Sequence, residues 1–180
     1  MTAFVALLRA VNVGGRTQMP MARLTTVAET LGLTAPRTLL QSGNLVFRTD
    51  RTDVAALERM LESAIADAFG YGADVLLRDA AAWEAAMAAN PFAEEARGDP
   101  SHALVMALRD APAASAITAL VEAATGDERA AVVGAHAYFV FPAGISKTKL
   151  TNVRIERLLV TRGTARNWNT AEKIAAALRV

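Results

Sequence analysis

Apolar residues fill the chain from Phe4 to Val11 almost without interruption, the mark of a strand buried on both faces. A glycine-containing loop follows. Pro20 then opens a helix in which Met21, Leu24, Val27, Ala28 and Leu31 keep helical spacing. Short runs at Thr38 to Gln41 and Asn44 to Phe47 predict a hairpin with a two-residue connection at Ser42-Gly43. Asp53 caps a long helix whose Val54, Leu57, Leu61, Ala64, Ile65 and Phe69 share one face. Ala73 to Leu77 reads as a strand, and Asp79 starts a helix carrying Trp83 and Met87.

The same order returns in the second half. Ala103 to Leu108 is a strand and Pro112 opens a helix with Ile117, Leu120 and Val121. Two strands meet at Gly134-Ala135, a helix begins near Thr148, and a short strand falls near Thr164. A last helix presents Ala171, Ile174, Ala175 and Leu178. Corresponding landmarks in the two halves lie 91 to 95 residues apart. So constant an offset predicts duplication of one unit, although the residues themselves hardly repeat. Strand, helix, hairpin, helix, strand is the split βαβ plan, so the expected fold is α+β with two ferredoxin-like subdomains related by internal duplication. The first spans 1–90 and the second 102–180, with 91–101 as a linker that holds two prolines, a glycine and the adjacent Glu94-Glu95.

Charge adds what periodicity cannot. The net charge is only +1, yet residues 1–49 hold five basic side chains against one acidic, and 146–180 hold eight against two. The stretch between carries six against fifteen. Two basic ends around an acidic middle favour an anionic partner for the ends. With 53% hydrophobic and 21% charged residues the chain is that of a folded protein, and with no cysteine it excludes disulfides, thiolate zinc sites and a cysteine nucleophile. The apolar N-terminal run lacks a preceding basic residue and meets Arg9 early, so it reads as a strand and not a signal peptide. No apolar segment is long enough to span a bilayer, and the expected location is cytoplasmic.

Strand directions in the split βαβ plan gather the polar motifs into two clusters. In the first half, the loop after the first strand meets the hairpin tip, bringing Asn12, Gly14, Gly15, Arg16 and Gln18 to Gln41, Ser42, Gly43 and Asn44. In the second half, Gly144 to Lys149 meets Arg166, Asn167, Trp168 and Asn169. The motifs are specific together: Leu7 to Gly15, Pro20-Met21, Gln41 to Phe47, Asn90-Pro91-Phe92, Ser146-Lys147, Lys149-Leu150-Thr151 and Ala165 to Thr170. Through them the chain resembles an uncharacterised, mostly bacterial family known as domain of unknown function 1697. The resemblance implies a two-part α+β fold and no established activity. Ala10 stands where members usually carry glycine.

Each motif has a plain reading beside the chemical one. Gly14-Gly15-Arg16 suits a backbone nest for phosphate, or simply a tight strand-to-helix turn; it lacks the spacing of a dinucleotide fingerprint. Gly144 to Thr148 looks like part of a phosphate loop, but a true one needs glycine where Ser146 and Phe141 stand, which counts against nucleotide hydrolysis. Ser42 lacks a nucleophile elbow, and His102 and His136 start strands away from it, so no Ser-His-acid triad is expected. No clustered ligand set for a metal is present, and no cofactor is expected. Asn12, Gln41 and Asn44 are equally readable as loop-closing amides. His136 to Phe141 has some likeness to the aromatic strand of RNA-recognition modules without its basic and glycine positions. Trp168 beside Arg166, Asn167 and Asn169 either stacks on a base or anchors the last helix, with Asn169 or Thr170 as its cap.

The resulting expectation is binding of an anionic ligand, nucleic acid or nucleotide, with Arg16, Lys147, Lys149, Arg154 and Arg166 on phosphates and Trp168 as the stacking face. The alternative is a small-molecule enzyme using Asn12, Gln41, Ser42 and Asn44 in a polar cleft between the halves. A third is an interaction module whose acidic middle and basic ends pair with each other or with a copy.

Overall fold

A computed structural model describes residues 1–12 and 18–180. Its elements run β1 (Thr2–Leu8), α1 (Met21–Thr30), β2 (Thr34–Leu39), β3 (Asn44–Thr49), α2 (Val54–Phe69), β4 (Val75–Asp79) and α3 (Ala80–Ala88). A short α4 (Ala93–Gly98) leads into β5 (Ala103–Leu108), α5 (Ala114–Ala123), β6 (Arg129–Val133), β7 (His136–Val140), α6 (Asn152–Leu159), β8 (Gly163–Asn167) and α7 (Trp168–Leu178). Two antiparallel four-stranded sheets result, ordered β2-β3-β1-β4 and β6-β7-β5-β8. The expected α+β fold of two duplicated ferredoxin-like sheets is what the chain adopts.

The duplication extends to individual hydrogen bonds. Leu8 N–H donates to Gly43 O at 2.8 Å, as Leu108 N–H does to Ala135 O at 2.9 Å. Arg9 N–H donates to Asp74 O at 2.9 Å, and Arg109 N–H to Arg162 O at 2.8 Å. In each sheet one edge strand, β4 or β8, begins with an N–H held by a helix carboxylate: Val75 by Glu62 Oε1 and Gly163 by Glu156 Oε1, both at 2.9 Å. These glutamates satisfy outward donors that would otherwise invite another strand.

One face of each sheet buries its own helix pair. Phe4, Ala6, Leu8, Leu45, Phe47 and Leu77 pack with Leu24, Leu57, Leu61 and Ile65, while Leu104, Met106, Leu108 and Phe139 pack with Leu120, Ile155 and Leu159. Alternation turns Val5, Leu7, Leu76, Val105 and Tyr138 the other way, and they too are buried. That is why the central strands read as continuous apolar runs.

Two compact units divide the chain, one of Met1–Glu84 with Lys173–Val180 and the other of Ala85–Glu172. In the first, Arg37 donates to Ala177 O, Arg48 to Val180 O at 2.8 Å, and Arg179 meets Glu84 at 3.0 Å, so the end of α7 is fastened there. In the second, Tyr138 Oη donates to Ala86 O at 2.7 Å, and burial pushes its phenol up to about 12.

The structure corrects several element boundaries. The first hairpin turns through four residues, Leu40 to Gly43, with Leu40 at φ 60° and Gly43 at φ 75°, and β2 lies earlier than expected. Only the second hairpin has a two-residue connection, Gly134-Ala135. The linker contains α4, and α6 starts at Asn152, capped by Thr151 Oγ1 on Arg154 N–H at 3.3 Å. β1 stops at Leu8 because Ala10 adopts φ 57° and Asn12 φ 55°.

Ala10 therefore occupies a left-handed conformation that glycine adopts without steric cost. Ala10→Gly is expected to raise stability by roughly 0.5–1 kcal/mol, the steric relief exceeding the extra unfolded-state entropy. Chemical denaturation of both proteins measures it, and a loss of stability would show that the φ carries no strain.

Candidate functional site

Two polar clusters form at opposite ends of equivalent sheets. The first lies at the C-terminal end of β1. Asn12 Nδ2 donates to Gln41 O at 2.7 Å and to Met19 O at 3.2 Å, while Asn12 Oδ1 accepts from Met19 N–H at 2.7 Å. Asn44, fully buried, donates through Nδ2 to Leu39 O at 2.8 Å and Ser42 Oγ at 3.0 Å. Strand direction thus brings Asn12 to Gln41 as expected, while the bonds of Asn44 stay within its own hairpin, to Leu39 and Ser42. Both asparagine amides are spent on the loop backbone and the hairpin, and only Gln41 and Ser42 of this set are exposed. Gly14, Gly15 and Arg16 lie outside the described residues.

The second cluster lies at the N-terminal end of β5, where β7 and β8 finish. Ala103 pairs with Val140 and Leu104 with Asn167, so the loop after β7 and the start of α7 come together. Gly144, at φ 90°, accepts from Lys147 N–H at 3.1 Å and closes a turn that carries Ser146 and Lys147 into solvent. Lys149 and Arg154 are exposed beside it, the latter donating to Lys149 O at 3.4 Å. None of these three cations forms an ion pair among the described residues.

Arg166 and Trp168 differ from expectation. Each is only 8% exposed. In β8 Ala165 faces the α5 and α6 core, so period-two alternation sends Arg166 to the opposite, buried face. Its Nη1 donates to Thr164 Oγ1 at 2.7 Å and Ala165 O at 2.8 Å, and burial pulls the guanidinium down to about 10, still charged at neutral pH. Arg78 occupies the equivalent place on β4, opposite Val5 as Arg166 is opposite Val105, and donates to Leu77 O at 2.7 Å. Two arginines thus serve the sheets and not the surface. Trp168 begins α7 with its N–H on Pro100 O at 3.0 Å, and a ring so covered has no open face for a base. Asn167 is the cap of α7, accepting from Thr170 N–H at 3.0 Å, in place of Asn169 or Thr170. Asn169 Nδ2 donates to Ser101 Oγ at 3.2 Å.

Sequence reasoning missed Asp99 and His102. Asp99 N–H closes α4 on Glu95 O at 2.8 Å, and the following turn returns His102 N–H to Asp99 O at 3.2 Å. Side chains meet as well, His102 Nδ1 lying 2.6 Å from Asp99 Oδ2. The ring rests against Gly144: a Cβ there would stand 3.5 Å from His102 Nε2. The Asp-Pro-Ser-His sequence before a strand was the available signal. Elsewhere the acidic middle is partly neutralised within its own unit, Glu95 by Arg129 at 2.6 Å and Glu94 by Arg97 at 2.7 Å.

The fold and these clusters define an α+β protein of two duplicated ferredoxin-like sheets with a cationic turn at one end of the second. The chain belongs to the family described as protein of unknown function, DUF1697, whose model matches residues 1–138. No curated protein matches the chain. Among solved structures it is similar to the conserved bacterial protein SP0830 from Streptococcus pneumoniae, at 24% identity and a TM-score of 0.76 over 98% of each chain. That likeness concerns the fold alone. No helix among the described residues is long and apolar enough to cross a membrane.

Proposed function

We propose that this protein is a cytoplasmic binder of a phosphate-bearing ligand, a nucleotide or a segment of nucleic acid, held by the turn after β7. The observation that carries the reading is the grouping of Lys147, Lys149 and Arg154, exposed and without carboxylate partners among the described residues, on one loop and the first turn of α6. The α6 N-terminus adds its partial positive charge to the same place. Arg166 and Trp168 drop out of the contact set because they are buried, so affinity comes from charge and backbone donors and not from stacking. Asn12 and Asn44 drop out for the other reason, their amides being already committed.

Binding of this kind weakens with salt in proportion to the number of phosphate contacts. Fluorescence titration of a short single-stranded oligonucleotide and of a nucleoside monophosphate across ionic strengths is the direct test. Replacing Lys147 and Lys149 together by alanine is expected to reduce the oligonucleotide's log–log salt slope by roughly 1–2. Binding that is indifferent to salt, or unchanged in the double variant, would place the ligand elsewhere.

A further inference from the structure

We infer that the first unit holds a separate anion site, a small pocket between Arg37 and Arg48 that takes the carboxylate of a short aliphatic acid.

Strand geometry brings both arginines to one face of the first sheet. Leu45 and Phe47 of β3 belong to the helix-side core, so alternation turns Val46 and Arg48 the other way. Across from them in β2, Thr34 lies opposite Arg48 and Arg37 opposite Val46, which leaves both Ala35 and Pro36 facing Phe47 alone. The extra residue makes a β-bulge. A regular ladder would set Pro36 opposite Val46 and turn Arg37 toward the helices, whereas the bulge turns it to the side of Arg48. To make that bulge Ala35 takes φ 49°, a left-handed conformation that is sterically unfavourable for alanine. Strained backbone that re-aims one side chain clusters at ligand sites.

The charges so placed have no side-chain counterpart. Of the other described arginines in the basic N-terminal stretch, Arg9 meets Asp74 at 3.6 Å and Arg23 lies over the Phe69 ring. Arg37 and Arg48 meet no acidic side chain among the described residues. Each guanidinium makes one hydrogen bond there, Arg37 to Ala177 O and Arg48 to Val180 O at 2.8 Å, so both forks reach the end of α7. Most of their N–H donors are left over.

The two arginines line a pocket of about 210 Å³ together with Ala3, Ala35, Val46 and Ala177, all within the first unit. Sites for larger organic ligands begin at roughly 300 Å³, so this one is too small for a nucleotide. The planar fork of arginine matches a carboxylate. Methyl-bearing walls suit a short aliphatic body and offer nothing to a hydrated inorganic anion.

Amide-detected NMR of the full chain titrated with sodium butyrate, against sodium chloride at equal ionic strength, tests the site. Saturable shifts are expected at Ala35, Arg37, Arg48 and Ala177, with none at Gly144 or Lys147. Arg37→Gln, a change at an exposed side chain, should weaken butyrate binding by about tenfold or more, the order of one charge-assisted hydrogen bond. Arg48→Lys keeps the charge but not the fork and should also weaken it, which a purely coulombic attraction would not do. The Lys147→Ala, Lys149→Ala variant should bind butyrate as the unaltered protein does, which separates this site from the turn after β7. Absence of a saturable butyrate shift, or shifts that survive Arg37→Gln unchanged, would overturn the inference. So would inorganic phosphate binding the two arginines in preference to butyrate.

Discussion

Gly43→Ala is expected to destabilise the protein by roughly 3 kcal/mol or more, combining about 1–2 kcal/mol for a left-handed non-glycine residue with about 1–3 kcal/mol for overpacking. Gly43 has φ 75°, and its carbonyl holds the end of β1 through Leu8 N–H at 2.8 Å. A Cβ there would overlap Val11 Cγ2 and stand 2.9 Å from Leu8 Cβ, with no room to withdraw because both belong to the first core. Gly32 is the control. Its φ is 73° and nothing lies within 4 Å of an added Cβ, so Gly32→Ala should cost only the conformational part, about 1 kcal/mol. Equal losses in the two variants, measured by urea denaturation, would show that the close approach of hairpin to strand is not what fixes Gly43.

Trp168→Ala is expected to cost about 3–5 kcal/mol of stability, the range for removing a buried aromatic side chain, and to leave the salt dependence of anion binding unchanged. The ring is 8% exposed at the first turn of α7, a helix whose Ala171, Ile174 and Leu178 are buried with it. A platform for a base would respond the other way, losing affinity at little cost in stability. Thermal or chemical denaturation beside an oligonucleotide titration distinguishes them, and a stable variant with weakened binding would restore the stacking role.

Trp168 and Arg166 also show where sequence stops being informative. An indole between asparagines and an arginine has the same composition whether it grips a ligand or latches a helix. Only the alternation of β8, with Ala165 on the helix side, decides that Arg166 turns inward. The repeat itself was legible because each half must bury the same faces, and apolar spacing records burial directly. Gly134-Ala135 was legible because a two-residue turn has strict backbone needs; the first hairpin was misread because Leu40 takes a positive φ that its side chain gives no reason to expect. Asn12 and Gln41 came together through strand direction alone. Asp99 and His102 did not, since their place beside Gly144 depends on how the α4–β5 turn meets the β7–α6 loop, a tertiary contact with no local pattern.

Ligand binding at the cationic turn of the second sheet is tested by amide-detected NMR of the full chain during titration with a nucleoside monophosphate. Saturable shifts are expected at His102, Gly144, Ser146, Lys147 and Lys149, with Asn12, Gln41 and Asn44 unmoved. Saturable shifts at the hairpin end of the first sheet with none at the turn, or no saturable shift at all at low salt, would contradict it.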